Sequence, residues 1–169
     1  MNPGLRIRHV PAGEAARLRE IRLRSLAADP DAFGGTYEHE SGLPDSWWSD
    51  WAARSDAGRE QRTFVLVDDT DSWLGIALAR DDRPDSIGAV LNAMWVAPEA
   101  RGRGGARLLC DACVAWAREQ GLPEIVLDVV VGNERALRVY AAAGFVIRGE
   151  TTWHGHGRTL HEYVMARTL

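Results

Sequence analysis

Residues 5–10 alternate Leu or Ile with Arg, a period of two that predicts a short strand. From Pro11 to Asp29 the period lengthens, and Leu18, Ile21, Leu23 and Leu26 recur at helical spacing. Asp29-Pro30 should stop that helix, because a residue before proline avoids the helical conformation. Gly34-Gly35 and Ser41-Gly42 read as loop, and Pro44-Asp45-Ser46 opens a short helix carrying Trp47, Trp48 and Trp51. Residues 63–67, 73–79 and 87–96 read as three strands. The turns between them (68–71 and 81–85) are too short for a crossover helix, so an antiparallel meander follows.

After Pro98 the rhythm changes. Residues 98–105 are rich in Gly and Arg, and residues 106–120 place Leu108, Leu109, Ala112, Cys113 and Trp116 on one helical face. Gly121 and Pro123 end that helix. Residues 125–131 are almost continuously apolar, the signature of a strand buried on both faces. Asn133 caps a helix running to Ala143, which Gly144 stops. Residues 145–153 and 160–166 close the chain as a hairpin around Gly155-His156-Gly157. The order β-α-α-β-β-β-α-β-α-β-β predicts a three-layer α/β domain with a mixed sheet.

A chain of 169 residues buries roughly 70% of its unfolded surface, enough for one core, so a single domain spanning 1–169 is expected. The formal net charge of −4 argues against nucleic acid as the main partner. No run of about 18 apolar residues suggests a membrane span, and the first ten residues hold no run of signal-peptide length. Every basic side chain besides the histidines is Arg, which excludes Schiff-base chemistry and a Lys-bearing phosphate loop. The two cysteines, Cys110 and Cys113, are too few for a disulfide framework, so a reducing, cytoplasmic setting is expected. Both fall well inside a helix and read as core residues, whereas a redox pair needs a thiol at a helix N-terminus. His154, His156 and His161 lack convergent partners, so no metal is expected.

Chemistry concentrates in two stretches. In the first, a strand ends at Met94-Trp95-Val96, a loop carries Arg101-Gly102-Arg103-Gly104-Gly105, and a helix begins at Ala106. Glycines let backbone approach a ligand closely, and unpaired N–H groups at the helix start favour an anion such as a pyrophosphate. Arg101 and Arg103 add donors suited to phosphate oxygens. In the second stretch, Asn133 sits at a strand-to-helix junction and Tyr140 lies seven residues on, on the same helix face. Each residue taken singly also fits a bland role, a helix cap for Asn133 and a packed aromatic for Tyr140.

Together, in this order and topology, the two stretches resemble the GNAT acyltransferase superfamily. Arg101, Gly104 and Ala106 match its Gln/Arg-x-x-Gly-x-Gly/Ala loop. Asn133, Ala136, Tyr140, Gly144 and Phe145 match its later Asn-x-x-Ala-x-x-x-Tyr-x-x-x-Gly-Phe signature. The resemblance implies a mixed, mostly antiparallel sheet with splayed central strands and helices on both faces. It implies acetyl-CoA as co-substrate, its pantetheine arm paired with the backbone of Met94, Trp95 and Val96. Its pyrophosphate would rest on residues 101–106, with Asn133 and Ala136 beside the arm and Tyr140 facing the thioester sulfur. A small-molecule amine is the implied acceptor, and the resemblance leaves room for a homodimer.

Acid–base chemistry fits that reading. The departing thiolate has a pKa of about 8.5 and a phenol about 10, so Tyr140 can serve as general acid. An alkylamine near pKa 10.4 needs roughly 4.6 kcal/mol to lose a proton at pH 7, so a base or water chain is required. Many family members carry a Glu on the strand before the phosphate loop; this chain has Asn92, which cannot be a base. Glu38 and Glu40 are the leading base candidates, with Asp128 and Glu162 weaker ones. Residues 36–51 hold four carboxylates, no Arg and four aromatics, which suits a cationic amine. Tyr37, Trp48 and Asn92 are therefore expected to line the acceptor site, with Trp47 and Trp51 packing the helix on the sheet. A protein or peptide acceptor and a non-catalytic acetyl-CoA-binding module are the alternatives.

Overall fold

The computed structural model describes residues 4–83 and 88–169. Met1, Pro3, the turn residues Pro84 and Asp85, and Ile87 at the expected start of the third strand lie outside them. Among the described residues seven strands form one sheet in the order β1-β2-β3-β4-β5-β7-β6. These are β1 (Arg6–His9), β2 (Gln61–Val67), β3 (Trp73–Asp81), β4 (Ala89–Val96), β5 (Glu124–Val130), β6 (Val146–Gly155) and β7 (Arg158–Thr168). Every neighbouring pair is antiparallel except β4 and β5. Among the described residues five α-helices flank the sheet: α1 (Ala15–Ala28), α2 (Tyr37–Ser41), α3 (Asp45–Ala57), α4 (Gly105–Glu119) and α5 (Glu134–Ala142).

Two cores explain the three layers. One joins α4 and α5 to the sheet through Leu109, Cys113, Leu127, Tyr140 and Met165. The other joins α1 and α3 to the opposite face through Leu18, Leu26, Trp48, Val65 and Trp95. The buried stripe of α4 runs through Leu109, Cys110, Cys113, Val114, Trp116 and Ala117, so Leu108 is exposed and Cys110 takes the core place expected for it. Burial pushes the Cys110 thiol up to about 12 and Cys113 well above its ordinary value, which leaves both unreactive.

One helix was not expected. Residues 37–41, read as loop, form α2, because the Thr36 hydroxyl accepts the His39 N–H and caps its first turn. The segment before it is held down from across the molecule. Arg158, at the start of β7, donates to the carbonyls of Pro30, Phe33, Gly34 and Gly35. Gly34 lies against the Trp153 ring, and a Cβ at Gly35 would run into the Glu40 carboxylate. Both glycines are therefore required by close approach.

The sheet opens where β4 and β5 meet. Their parallel ladder comprises only Ala89–Ile125 and Val90–Val126. Beyond it, β4 carries a bulge: Ile76 faces Trp95 and Leu78 faces Asn92, so Ala93 and Met94 together oppose Ala77. Ala93 has φ +56, a left-handed conformation that costs a non-glycine residue of order 1–3 kcal/mol. Strained backbone of this kind collects where a site needs it, and here it turns β4 away from β5.

Candidate active site

A cavity of about 890 Å³ occupies the cleft between the splayed strands. At one end lies the start of α4. Gly104 at φ +79 precedes the helix, and no side chain caps it, so the first-turn N–H groups point open into the cleft. Gly102 is also left-handed, at φ +74. Gly105 is buried for a different reason: a Cβ there would strike Leu66, so glycine lets α4 sit close on β2. Arg107, paired with Asp111 at 2.9 Å, lines the same end with Arg135 and Arg138, which have no ion-pair partner among the described residues and make it electropositive. The last two, on α5, carried no recognised signal.

Arg101 lines the cavity, but two of its donors are already engaged. Its Nη2 donates to Asp29 Oδ2 at 2.6 Å and its Nε to the Val96 carbonyl at 2.9 Å. Asp29 also accepts from Trp95 Nε1 at 2.7 Å, which fixes that ring in the α1-side core. Burial alone would raise the Asp29 carboxyl. The Trp95 and Arg101 donors and the guanidinium charge outweigh it and hold the group below the usual carboxylate range. A depressed carboxylate stabilises above its unfolded pKa and stops doing so only as pH falls through the folded value, so the tie holds at neutral pH. Arg101 and Asp29 thus shape the loop, and backbone is left to meet an anion. Asp29→Asn keeps an acceptor for Trp95 but removes the ion pair. Its KM for the loop's ligand should rise about 3–10-fold with kcat unchanged in steady-state kinetics.

The wall opposite is α5. The Asn133 side-chain oxygen accepts from the Ala136 N–H at 3.3 Å, which is the capping role. That bond uses only the oxygen, so the amide NH₂ is left to donate into the cavity, which Asn133 and Ala136 line. Tyr140 lines it two turns on; it is 6% exposed and its ring meets Phe145 edge-on at 6.0 Å. Burial pushes the Tyr140 phenol well above its ordinary value, so it stays protonated and a hydrogen-bond donor at every working pH but is a weaker acid than a free phenol, yielding its proton only as charge builds on sulfur.

The far end corrects several expectations. Trp48 is 2% exposed and packs in the α1-side core, whereas Trp47, 37% exposed, and Trp51 line the cavity. The roles of Trp47 and Trp48 are exchanged because α3 turns Trp47 to the cleft and lays Trp48 on the sheet; Trp51 packs in the same core as expected, donating to Thr63 Oγ1 at 2.9 Å, while also bordering the cavity. Tyr37 and Glu38 are exposed on α2 and do not line the cavity. Glu40 does line it, but its carboxylate is taken: Arg22 donates through Nε at 2.8 Å and Nη2 at 2.9 Å, and both residues are buried. Both carboxylate oxygens are therefore occupied by the guanidinium, and neither is placed to meet an acceptor. Asn92 lines the cavity and accepts from Arg80 Nε at 3.0 Å. Phe33 and Trp153, unmarked in the sequence reading, complete an aromatic rim.

Asp128 and Glu162 hold the two free carboxylates. Both line the cavity, and among the described residues neither has an ion-pair partner. Burial raises both carboxyls, and the Asp128 charge raises Glu162 further. A carboxylate moved up toward neutrality is a stronger base. Among the described residues no group of three or more His, Cys, Asp or Glu side chains could hold a metal ion, and no helix is long and apolar enough to cross a membrane.

Residues 20–145 match the Acetyltransferase (GNAT) family model. An uncharacterized N-acetyltransferase of Mycobacterium tuberculosis is 33% identical over 110 residues, which cover 59% of this chain and 70% of the relative. A GNAT-family acetyltransferase from Streptococcus pneumoniae superposes with a TM-score of 0.82 over 98% of this chain and 99% of its own, at 21% identity. A Salmonella typhimurium acetyltransferase, solved with acetyl-CoA, superposes at 0.78 over 98% and 94%, at 19% identity.

Proposed function

This chain belongs to the GNAT acetyltransferase family, and from that premise we propose that it moves the acetyl group of acetyl-CoA to the primary amine of a small cationic acceptor in a ternary complex. The observation that carries the reading is the splayed β4–β5 cleft, which joins the uncapped start of α4 to the Tyr140 phenol and the free Asp128 carboxylate in one cavity. The residues fit acetyl-CoA. The first turn of α4 and the glycine loop meet the pyrophosphate through backbone N–H groups, with Arg107, Arg135 and Arg138 offering charge to the phosphates. The unpaired edge of β4 beyond Val90 offers Met94 and its neighbours to the pantetheine amides as an added strand. The Asn133 amide donates to the same arm.

At the reacting centre Asp128 takes a proton from the acceptor ammonium, and the free amine attacks the thioester carbonyl carbon. The C–N bond forms, the C–S bond breaks, and the electron pair leaves on sulfur, which takes the Tyr140 proton; the second proton of the nitrogen restores the phenol, so sulfur ends as the free thiol. Both reactants are held together, so proximity supplies a large part of the acceleration. Charge at the acceptor end favours a cation: the Arg22–Glu40 pair cancels, and Asp128 and Glu162 face the cavity without counter-ions. Trp47, Trp51, Phe33 and Trp153 give faces on which an ammonium or its alkyl chain packs.

Incubation with acetyl-CoA and a panel of a polyamine, a simple alkylamine, a neutral alcohol, an amino acid and a short peptide, with free thiol monitored, tests this reading. Thiol release should be greatest with the cationic amines. Turnover confined to neutral or anionic acceptors would overturn the acceptor class, and turnover confined to the peptide would move it to polypeptide substrates. Binding of acetyl-CoA with no turnover of any acceptor would leave only a binding module.

A further inference from the structure

An acceptor that enters as its ammonium ion loses two protons in each turnover. One ends on sulfur as the free thiol, and the other has to reach bulk water from Asp128, which is exposed on the cleft wall and loses that open side once both substrates fill the cleft. We propose that Glu162 is the outlet, taking the acceptor's proton from Asp128 on the cavity side and releasing it to water in a second, smaller cavity on the other side. The proposal rests on the acetyl-transfer reading above and adds a route to it.

Strand register places the two carboxylates together. Asp128 on β5 lies opposite Val164 on β7, and Glu162 lies opposite Val130, so Asp128 and Glu162 are diagonal neighbours on one face of an antiparallel pair. Such diagonals are within reach of long side chains. The second cavity, about 120 Å³, is lined by Glu162 with Val131, Glu150, Thr151, Thr152 and His161, and Glu162 alone lines both spaces. The other five lining residues are exposed, so this space opens to solvent, and at about 30 Å³ per molecule it holds around four waters. Its polar lining suits water: the Thr152 hydroxyl lies 3.5 Å from His161 Nδ1, and Glu150 on β6 supplies a further acceptor. The Asp128 charge beside Glu162 keeps the Glu162 proton affinity high enough to receive, and the pair needs to hold only one proton between them.

Transfer proceeds without net consumption of any group. Asp128 accepts a proton from nitrogen, passes it to the Glu162 carboxylate and returns to its anionic form. Glu162 then protonates a water of the small cavity and is restored. The route matters only where a strongly basic amine has to be deprotonated inside the site.

The test compares two acceptors of similar size, an alkylamine that is protonated at neutral pH and its fluorinated analogue that is already the free base. In Glu162→Gln, kcat with the alkylamine should fall at least 10-fold, while kcat with the fluorinated amine changes less than twofold. Glu162→Asp should restore part of the lost rate. Equal losses with both amines would mark a structural role and overturn the proposal, as would no loss with either. Thr152→Leu fills the small cavity from the exposed β6 side at a position paired with His161 rather than with Glu162, and serves if Glu162→Gln melts abnormally; it should reproduce the selective loss. Full alkylamine turnover in Thr152→Leu would overturn the route. Absence of turnover in the unmodified protein with either amine would count against the acetyl-transfer reading itself, a distinct result.

Discussion

Tyr140→Phe should lower kcat by about 10²–10⁴-fold, the range for loss of a positioned general acid. The change removes one hydroxyl and leaves the ring against Phe145, so the fold should survive with its melting temperature nearly unaltered. The loss belongs in kcat because negative charge on sulfur develops only as the C–S bond breaks, while the intact thioester sulfur accepts hydrogen bonds poorly. Acetyl-CoA affinity, measured by calorimetry, should therefore change little. The pH profile carries a second signature. Burial raises the Tyr140 phenol, so its donor form persists as pH rises, and the kcat profile of the unmodified protein should show no alkaline fall from this group up to about pH 10, the ordinary phenol value. A Tyr140→Phe protein with near-normal kcat, with chemistry shown to limit the rate, would remove the phenol from the mechanism.

Gly104→Val should weaken acetyl-CoA binding at least 100-fold while the protein still folds. Gly104 is exposed at φ +79, and a Cβ there would meet nothing within 4 Å, so the free protein suffers no collision. A β-branched residue disfavours that left-handed conformation by of order 1–3 kcal/mol, however, and the loop should relax out of it. Relaxation turns the N–H groups that precede and open α4 away from a common centre, and the isopropyl group stands where the pyrophosphate would come in. Isothermal titration with acetyl-CoA reads the loss, and thermal melting reads the fold. Retained affinity within a factor of three would mean that the phosphates bind elsewhere, with Arg107, Arg135 and Arg138 the first groups to examine.

Local pattern carried most of the fold. The strand periods, the α4 and α5 stops at Gly121 and Gly144, and the anchors Gly104, Asn133 and Tyr140 are each set by interactions within a few residues of sequence. For that reason the α/β order and the GNAT resemblance were legible without coordinates. Short-range chemistry also decided Asn133, whose cap bond to Ala136 spans three residues. What could not be read depends on residues far apart in the chain. Glu40 looked like a free loop carboxylate until the fold set Arg22 against it, and Arg101 looked like an unpaired cation until Asp29 engaged it from 72 positions away. Trp47, Trp48 and Trp51 are alike in sequence, and only the rotation of α3 against the sheet decides which rings are core and which face the cleft. Asp128 and Glu162, weak candidates when read separately, become neighbours because β5 and β7 align them across 34 positions of chain. A side chain's backbone habits are local and travel with the sequence, but its charge state and its freedom to react depend on what surrounds it, and only the packed structure supplies that surrounding.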